Sequence, residues 1–397
     1  MGAILEGTRL PEALCLVELL IGLITCLAAW EMARRFIPAG PVAAPPFHPQ
    51  LIIAATGPLP GLETLREALD AQTVPIGSLW FAVESEEDPA FCRIETVFRD
   101  FDPPVGLVVA GLASVGGQKS RNLAAALQEV DETRPVVLAD ADIVPQANWL
   151  ATLLRPIRNR RADIVTGYRW PLPLDGRLPT LLICWMERAI AALPKPIGAQ
   201  LIWGGSVALA PGLCTRLELA ASLEPHISDD LFLATLARRH RLRVRFPAGV
   251  LLPTPTRHDW RSMIGFGRRQ YQMIRLYSPL AFAAALATAA LNLLGTAIPL
   301  VLLTREWWAA PAYLAMAGVS AVACGARRGL GSTMGIPPGK AAREGRICLL
   351  CLILPLVHLA HLLMIFGALR VRTIRWGRYT YRMRGKRVAA VETRWRW

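Results

Sequence analysis

The sequence predicts an α/β domain built on a mostly parallel sheet, with transmembrane helices on both sides of it. Of the 397 residues, 53% are hydrophobic and 19% are charged, with a mean hydropathy of +0.36. An ordinary soluble domain carries about a quarter charged residues. Long apolar runs lie near the N-terminus and in the last third of the chain, whereas the residues between them alternate short apolar runs with amphipathic stretches. This alternation is typical of a parallel sheet with helical connections.

The first element is a predicted membrane anchor within residues 1–37. Its apolar run, residues 13–30, is about long enough to span a bilayer and is followed by Arg34 and Arg35. The positive charges come after the apolar run, which favours an anchor over a cleaved signal peptide and places the following domain in the cytoplasm. A linker rich in proline and alanine, residues 38–49, comes next.

The domain predicted over residues 50–255 has the pattern of strands that alternate with helices. Short apolar runs predict buried strands at 51–55, 79–83, 106–110, 136–139 and 164–167. Amphipathic stretches predict helices at 62–71, 120–130 and 149–158. Ligands of such sheets bind at the carboxyl ends of the strands, so the residues that follow each strand are the first candidates for a site.

Acidic residues follow two of these strands. A cluster from Glu84 to Asp88 follows the second strand, and Asp140 and Asp142 follow the fourth. Carboxylates two residues apart at a strand end can turn toward one hard cation, and one or two carboxylates commonly hold a cation that also binds a diphosphate. Solvated turns and helix caps use the same spacing. Because Asp140 and Asp142 follow an apolar strand, a cation site and a solvated turn are equally good interpretations of this pair.

Two further constellations come later in the chain. Asp229 and Asp230 open an amphipathic helix, where N-capping accounts for one acid more naturally than for two. Residues 256–278 predict an amphipathic helix at the membrane interface, in which Gln272 and Arg275 share a face. A basic helix that merely lies on a membrane surface would have the same pattern.

The C-terminal part, residues 279–369, predicts transmembrane segments at 279–303, 307–326 and 347–369. A basic loop, 327–346, and the basic tail, 370–397, would lie on opposite sides if the last run crossed once. We therefore expect the run 347–369, which contains Pro355, to be re-entrant. The net charge of +14 is concentrated beside the apolar runs, which favours anionic lipid over nucleic acid as the partner.

Taken in chain order, these motifs resemble the D, D, D, (Q/R)xxRW signature of glycosyltransferase families 2 and 21, which have the GT-A fold. The resemblance is closest to ceramide glucosyltransferases and extends to bacterial lipid glycosyltransferases that use a hopanoid acceptor. It covers most of residues 45–280 and rests on the cluster Glu84 to Asp88, Asp140 with Asp142, Asp229 with Asp230, Gln272 to Arg275, and Lys119 in the stretch 117–123. The final tryptophan of the signature is Leu276 here.

The resemblance implies an inverting transfer of a sugar, glucose in the closest relatives, from a UDP-sugar to a lipid hydroxyl. We assign Mg²⁺ or Mn²⁺ to Asp140 and Asp142, and the general base to Asp230. Donor binding is assigned to Glu84, Asp88, Lys119 and Asp140, and closure over the diphosphate or acceptor headgroup to Asp229, Gln272 and Arg275.

Several alternatives stay open at this point. The shared motifs do not separate a ceramide acceptor from a hopanoid acceptor, which would receive N-acetylglucosamine or another sugar. A processive polysaccharide synthase would need more spans to form a channel, and a transporter would need polar residues in several spans. A non-enzymatic membrane scaffold is the remaining class. We expect an integral protein of the bacterial inner membrane with its catalytic domain in the cytoplasm.

Overall fold

The computed structural model describes residues 9–35, 48–193, 201–247, 249–333, 341–385 and 387–393. Most of the predicted linker, Lys340 of the basic loop and the last four residues of the tail lie outside these ranges. By their contacts the residues form two compact units that are discontinuous in sequence. The helical unit comprises Met1–Pro38, Pro171–Pro194 and Pro255–Arg370, and the sheet unit comprises Ala39–Trp170, Lys195–Thr254 and Val371–Trp397.

The sheet unit begins with alternating strands and helices. The first helix of the chain, α1 (Leu10–Arg35), belongs to the helical unit. The elements of the sheet unit that follow it are β1 (Gln50–Ala54), α2 (Leu62–Asp70), β2 (Ser78–Val83), α3 (Pro89–Val97), β3 (Val105–Val109), α4 (Gln118–Ala126), β4 (Val136–Asp140), α5 (Trp149–Arg158) and β5 (Ile164–Thr166). The five predicted strands and three predicted helices are thus present. The second predicted helix begins and ends earlier than expected, at Gln118 and Ala126.

The later elements were not predicted individually, except for the helix that opens with Asp229. They are β6 (Tyr168–Pro173), α6 (Leu178–Ala192), β7 (Ser206–Leu209), α7 (Leu213–Arg216), α8 (Leu219–Leu223), α9 (Asp229–Arg239), β8 (Val244–Arg245) and β9 (Leu251–Thr256). Strands β6 and β9 form a two-stranded sheet. Helix α6 belongs to the helical unit although its sequence lies within the range 50–255.

The central sheet has seven strands in the order β3-β2-β1-β4-β7-β5-β8. Strand β1 pairs in parallel with both β2 and β4, and β2 pairs in parallel with β3. Strand β7 is antiparallel to β4 and β5 and separates them. The predicted mostly parallel sheet is therefore confirmed, with one reversed strand in its middle.

Helices cover both faces of this sheet. One core lies between the sheet and α2, α3 and α5, and the other lies between the sheet and α4, α7, α8 and α9. Successive residues of β1 alternate between the two cores, with Leu51 and Ile53 in the first and Ile52 in the second. Burial on both faces explains why these strands are continuous apolar runs in the sequence.

The region that was predicted as a basic tail is folded. Residues after Arg370 form a three-stranded antiparallel sheet, the C-terminal sheet, made of β10 (Thr373–Trp376), β11 (Tyr379–Arg384) and β12 (Arg387–Thr393). This sheet belongs to the sheet unit. Ile374, Tyr379 and Tyr381 are buried, so one face of the small sheet is packed against protein.

The helical unit contains α1, α6 and the long helices that follow β9. These are α10 (Trp260–Tyr277), α11 (Pro279–Val301), α12 (Ala309–Thr333), α13 (Ala341–Cys348) and α14 (Leu354–Phe366), with a 3₁₀ turn at Leu349–Ile353 between the last two. Four helical stretches of the described residues are long and apolar enough to cross a membrane: Leu10–Arg35, Pro279–Val301, Ala309–Gly331 and Arg343–Phe366. These stretches indicate a membrane protein.

Two details of the helical unit concern the predicted spans. The 3₁₀ turn interrupts the last apolar stretch just before Pro355, which lies at the start of α14. Glu18 of α1 is buried, and its Oε1 lies 3.7 Å from His358 Nε2 of α14. The acid of the predicted anchor therefore faces a polar partner inside the helical unit rather than lipid.

Candidate active site

The site is built around Lys119 at the carboxyl edge of the central sheet. Asp140 is the last residue of β4, and Lys119 is the second residue of α4. The lysine Nζ lies 2.6 Å from Asp140 Oδ1 and 3.3 Å from Asp229 Oδ2. Three residues that are far apart in the sequence thus meet at one point, as the strand-end rule predicts.

The reversed strand β7 brings a glycine loop to the same edge. Because β7 runs antiparallel to β4, its first residue, Ser206, pairs with Ala139 beside Asp140. The preceding Gly204 accepts a hydrogen bond from Lys119 Nζ at 3.3 Å through its carbonyl oxygen, and its amide donates to Asp230 Oδ2 at 3.4 Å. A Cβ at position 204 would overlap Asp229 Oδ2 and lie 3.0 Å from Lys119 Nζ. Only glycine fits here without displacing the charged side chains.

The two acids at the start of α9 have different surroundings. Ser228 caps the helix, and its Oγ lies 2.5 Å from Asp230 Oδ1. Asp229 is buried, with 4% of its surface exposed, and is paired with Lys119, whereas Asp230 is partly exposed. Of the two carboxylates, Asp230 is therefore the one that a substrate can reach.

Backbone packing holds the lysine and the acid pair together. Gly117, the N-cap residue of α4, donates its amide hydrogen to His226 O at 3.0 Å. Gly116 has a φ of +72°, and a Cβ there would overlap Glu224 O. The loop before Lys119 and the loop before Asp229 therefore touch through their backbones, which glycine at 116 permits.

The charges of this cluster are unbalanced. Lys119 faces the carboxylates of Asp140, Asp229 and Asp230, and Asp142 also interacts electrostatically with Asp140 and Lys119. Burial lowers the pKa of the lysine, but the carboxylates outweigh this effect and hold its pKa above the usual range. Burial raises the pKa of Asp229 to about 6, although Lys119 acts in the opposite direction. Asp142 also interacts with Arg169, so two cationic side chains face four carboxyl groups.

A divalent cation fits this donor set. Within the described ranges, no three His, Cys, Asp or Glu side chains converge as a complete metal cage. Asp140 and Asp142 offer two carboxylates, and Mg²⁺ sites that are completed by substrate phosphates and water take one or two. A bound cation would compensate the excess of carboxylate charge over the charges of Lys119 and Arg169.

The predicted donor residues Glu84 and Asp88 lie in the loop between β2 and α3 and are both buried. Asp88 caps α3 by accepting from the Ala90 amide at 2.9 Å, and it also accepts from Thr56 Oγ1 at 2.9 Å and Gly57 N at 2.7 Å. Its carboxylate therefore orders the loop that follows β1. Glu84 forms an ion pair with Arg378 of the C-terminal sheet.

Gln272 and Arg275 belong to α10 of the helical unit. Gln272 is buried, and Arg275 donates a hydrogen bond to Ala368 O at 3.2 Å. The guanidinium carbon of Arg275 also lies 5.5 Å from the centroid of the Phe282 ring. Leu276, which stands in the place of the signature tryptophan, is buried as well.

The sequence matches the profile of glycosyl transferase family 21 over residues 57–389, which is well over half of the chain. The chain belongs to glycosyl transferase family 21. This membership confirms the resemblance and the GT-A class of the sheet unit, and it makes the protein a glycosyltransferase. The match extends beyond the helical unit into β12, so it includes most of the C-terminal sheet.

Solved structures similar to this family 21 glycosyltransferase have low sequence identity to it. A mannosyltransferase from Pyrobaculum calidifontis, in complex with GDP-Man and Mn²⁺, is 16% identical, with 91% of this chain and 99% of that chain covered and a TM-score of 0.47. Glucosyl-3-phosphoglycerate synthase from Mycobacterium tuberculosis, in complex with Mn²⁺ and UDP-glucose, is 14% identical, with 58% and 78% covered and a TM-score of 0.39. No curated protein sequence matches the chain.

Sequence reasoning missed two features at or near the candidate site. The first is the glycine loop, although two glycines between Trp203 and a short apolar run are a sign of close backbone approach. The second is Arg378, which was counted among the charges of the tail. Its neighbours Tyr379 and Tyr381 alternate with polar residues, and this period of two predicts a half-buried strand.

Proposed function

We propose that this chain transfers a sugar, glucose by analogy with ceramide glucosyltransferases, from a UDP-sugar to the hydroxyl group of a membrane lipid with inversion at the anomeric carbon. The observation that carries the proposal is the contact of Lys119 with both Asp140 and Asp229 at the sheet edge of a family 21 chain. A cationic side chain among strand-end carboxylates is suited to a diphosphate leaving group. The four apolar helical stretches support an acceptor that resides in the membrane.

In the proposed reaction, a bond forms between the acceptor oxygen and the anomeric carbon, while the bond from that carbon to the diphosphate oxygen breaks. The proton of the acceptor hydroxyl passes to the carboxylate of Asp230, and UDP leaves with the bonding electrons. A bound Mg²⁺ or Mn²⁺, held by Asp140 and Asp142, would stabilise the charge on the departing diphosphate. Lys119 contributes a second positive charge near the same leaving group.

The surroundings of Asp230 support its role as the base. Its Oδ1 lies 2.5 Å from Ser228 Oγ and accepts from the Leu231 amide at 2.7 Å, which fixes the carboxylate at the start of α9. Asp229 is less suited because it is buried and paired with Lys119. We propose that Asp229 instead orients the lysine.

We propose that Gln272 and Arg275 contribute to closure over the diphosphate or the acceptor headgroup. Both lie on α10, which ends at Tyr277, immediately before the apolar helix α11. An arginine at such a position is suited to bidentate contact with phosphate oxygens. Its hydrogen bond to Ala368 O and its contact with Phe282 would order the side chain before a ligand binds.

We propose that the sheet unit lies in the cytoplasm of a bacterium and that the four apolar helical stretches lie in the inner membrane. Arg34 and Arg35 at the end of α1 support this side. Thr254 and Val371 both belong to the sheet unit, so the chain between them should cross the membrane an even number of times. Three apolar stretches lie in that interval, and the one interrupted at Leu349–Ile353 is the best candidate for a re-entrant segment.

Mass spectrometry of total lipids from cells with and without the protein tests the proposal, with Asp230→Asn as the inactive control. We expect a glycosylated lipid that is present only with the unsubstituted protein. Its mass separates a hexosyl ceramide from a glycosylated hopanoid, which are the two acceptors that the family resemblance implies. A polysaccharide in place of a glycolipid, or identical lipid profiles, would contradict the proposal.

A further inference from the structure

The C-terminal sheet contacts the sheet unit at two points of the proposed donor site. Arg378, in the turn between β10 and β11, forms an ion pair with Glu84 at the end of β2. Tyr381 of β11 accepts a hydrogen bond through its hydroxyl oxygen from the amide of Gln118 at 3.1 Å. Gln118 is the first residue of α4 and directly precedes Lys119. The sheet that was predicted as a basic tail therefore touches both the strand end of Glu84 and the helix that carries the central lysine.

The contact at α4 has a clear structural role. The first amide groups of a helix have no partner within the helix. Gly117 provides no side-chain cap for α4, so the Tyr381 hydroxyl supplies one of the missing acceptors. Tyr381 is 1% exposed, which fixes the start of the Lys119 helix against the C-terminal sheet.

The contact at Glu84 is different, because it leaves hydrogen-bonding capacity unused. The Glu84 side chain is 2% exposed and the Arg378 side chain 9%, so this ion pair is largely removed from water. Glu84 Oε2 has no hydrogen-bond partner within the part of the chain that the structure describes. A buried carboxylate oxygen without a partner is costly, and in a binding site it is the place for a donor from a ligand.

The sheet register gives the distance from Glu84 to the diphosphate end of the site. Ala54 of β1 pairs with Ala82 on one side and with Asp140 on the other. Two strand spacings separate Ala82 from Asp140, which amounts to about 10 Å. Glu84 lies two residues beyond Ala82. Two residues along the strand add about 7 Å, so the backbones of Glu84 and Asp140 lie about 12 Å apart. A nucleoside diphosphate spans a distance of this order from its base to its second phosphate.

We propose that Arg378 and Glu84 together bind the uracil base of the donor, so that the C-terminal sheet determines the nucleotide preference of the enzyme. The inference rests on the proposed use of a UDP-sugar. The imide edge of uracil carries one N–H donor between two carbonyl acceptors. The carboxylate of Glu84 accepts from the N–H group, and the guanidinium of Arg378 donates to a neighbouring carbonyl oxygen. Cytosine has an acceptor in place of that N–H and an amino group in place of one carbonyl, so it mismatches this pair.

The test compares UDP and CDP binding to the full-length protein in detergent with Mn²⁺, measured by titration calorimetry. We expect Arg378→Gln to weaken UDP binding at least tenfold and to reduce the preference for UDP over CDP. Arg382→Gln is the matched control, because Arg382 lies on β11 of the same small sheet and pairs with the exposed Glu392. It should bind both nucleotides as the unsubstituted protein does. Thermal unfolding of each variant shows whether the C-terminal sheet is still folded.

Arg378→Lys keeps the test decisive if Arg378→Gln fails to fold. Lysine retains the charge opposite Glu84 but lacks the planar fork of donors, so the UDP preference should still fall. Equal UDP affinity and equal preference in this variant and the unsubstituted protein would overturn the inference while leaving the proposed function intact. A protein that binds GDP but not UDP would overturn the uracil assignment alone. A protein that binds no nucleoside diphosphate would instead overturn the proposed function, and the inference with it.

Discussion

Substitution of Gly204 by alanine should disable the site without unfolding the protein. The new Cβ would overlap Asp229 Oδ2 and lie 3.0 Å from Lys119 Nζ, whereas ordinary contact begins at 3.4 Å. The carboxylate would have to move by about 1 Å to relieve the overlap. This movement separates Asp229 from Lys119, which now lie 3.3 Å apart, and shifts the lysine relative to Asp140.

Displacement of catalytic groups by about 1 Å can cost roughly 100-fold in rate. That factor corresponds to about 2.7 kcal/mol of transition-state stabilisation. We therefore expect kcat/KM of Gly204→Ala to fall about 100-fold, measured as UDP release in the presence of the acceptor lipid identified by mass spectrometry. The midpoint of thermal unfolding should change little, because the strained contacts lie at the sheet edge and not in either hydrophobic core.

Gly61→Ala is the matched control for this experiment. A Cβ at Gly61 meets nothing within 4 Å, and the residue lies in the same unit, at the start of α2. This variant should keep the activity of the unsubstituted protein. Equal kcat/KM values for the two alanine variants would refute the reasoning, since they would show that the contact of Lys119 with Asp229 is not needed for catalysis.

Three further predictions concern the metal, the base and the membrane topology. Chelation should stop transfer, Mn²⁺ or Mg²⁺ should restore it, and Asp140→Ala should abolish it, because a diphosphate leaving group needs the cation. Asp230→Asn should abolish transfer while UDP affinity, measured by calorimetry, survives, because a base acts in the chemical step and not in ground-state binding. A reporter that is active only in the cytoplasm should be active when fused after Trp397.

Each of these predictions has an outcome that contradicts it. Undiminished transfer by Asp140→Ala would remove the metal assignment. Loss of UDP affinity in parallel with rate would make Asp230 a binding residue, and Asp100→Asn, at an exposed position, controls for the change of charge. A fusion that is active only with a periplasmic reporter would mean that the run 347–369 is a complete span.

The strands of the sheet unit could be predicted, and their carboxyl ends could be singled out as the candidate site, because both follow from burial. A parallel strand covered by helices on both faces must be apolar throughout, and its carboxyl end must return to solvent. Strand β4 shows this change within five residues, from buried Val136 to partly exposed Asp140. Asp140 could therefore be assigned to the site from the sequence, whereas its contact with Lys119 needed the folded chain.

The reversed strand β7 could not be predicted with the same rule. It has four residues, all buried, and nothing in its composition distinguishes an antiparallel neighbour from a parallel one. Its direction nevertheless decides which of its ends reaches the site. Because it runs opposite to β4, the residues before the strand, and not those after it, meet Asp140. A search limited to residues that follow strands therefore misses Gly204.

The C-terminal sheet was missed because the basic residues of 370–397 were interpreted only as a topology signal. The alternation of aromatic and polar residues in the same segment was not considered. Ten basic residues in the tail indicate a cytoplasmic segment, which is a statement about the side of the membrane and not about structure. Arg378 contributes to that count, yet its charge is directed to Glu84 within the sheet unit. Charge and packing thus favour the same side for independent reasons. Suppose that the reporter fused after Trp397 is active in the cytoplasm. Neutralising basic residues of the tail other than Arg378 should then leave the reporter in the cytoplasm. The contacts of Arg378 and Tyr381 would still hold the tail to the rest of the sheet unit.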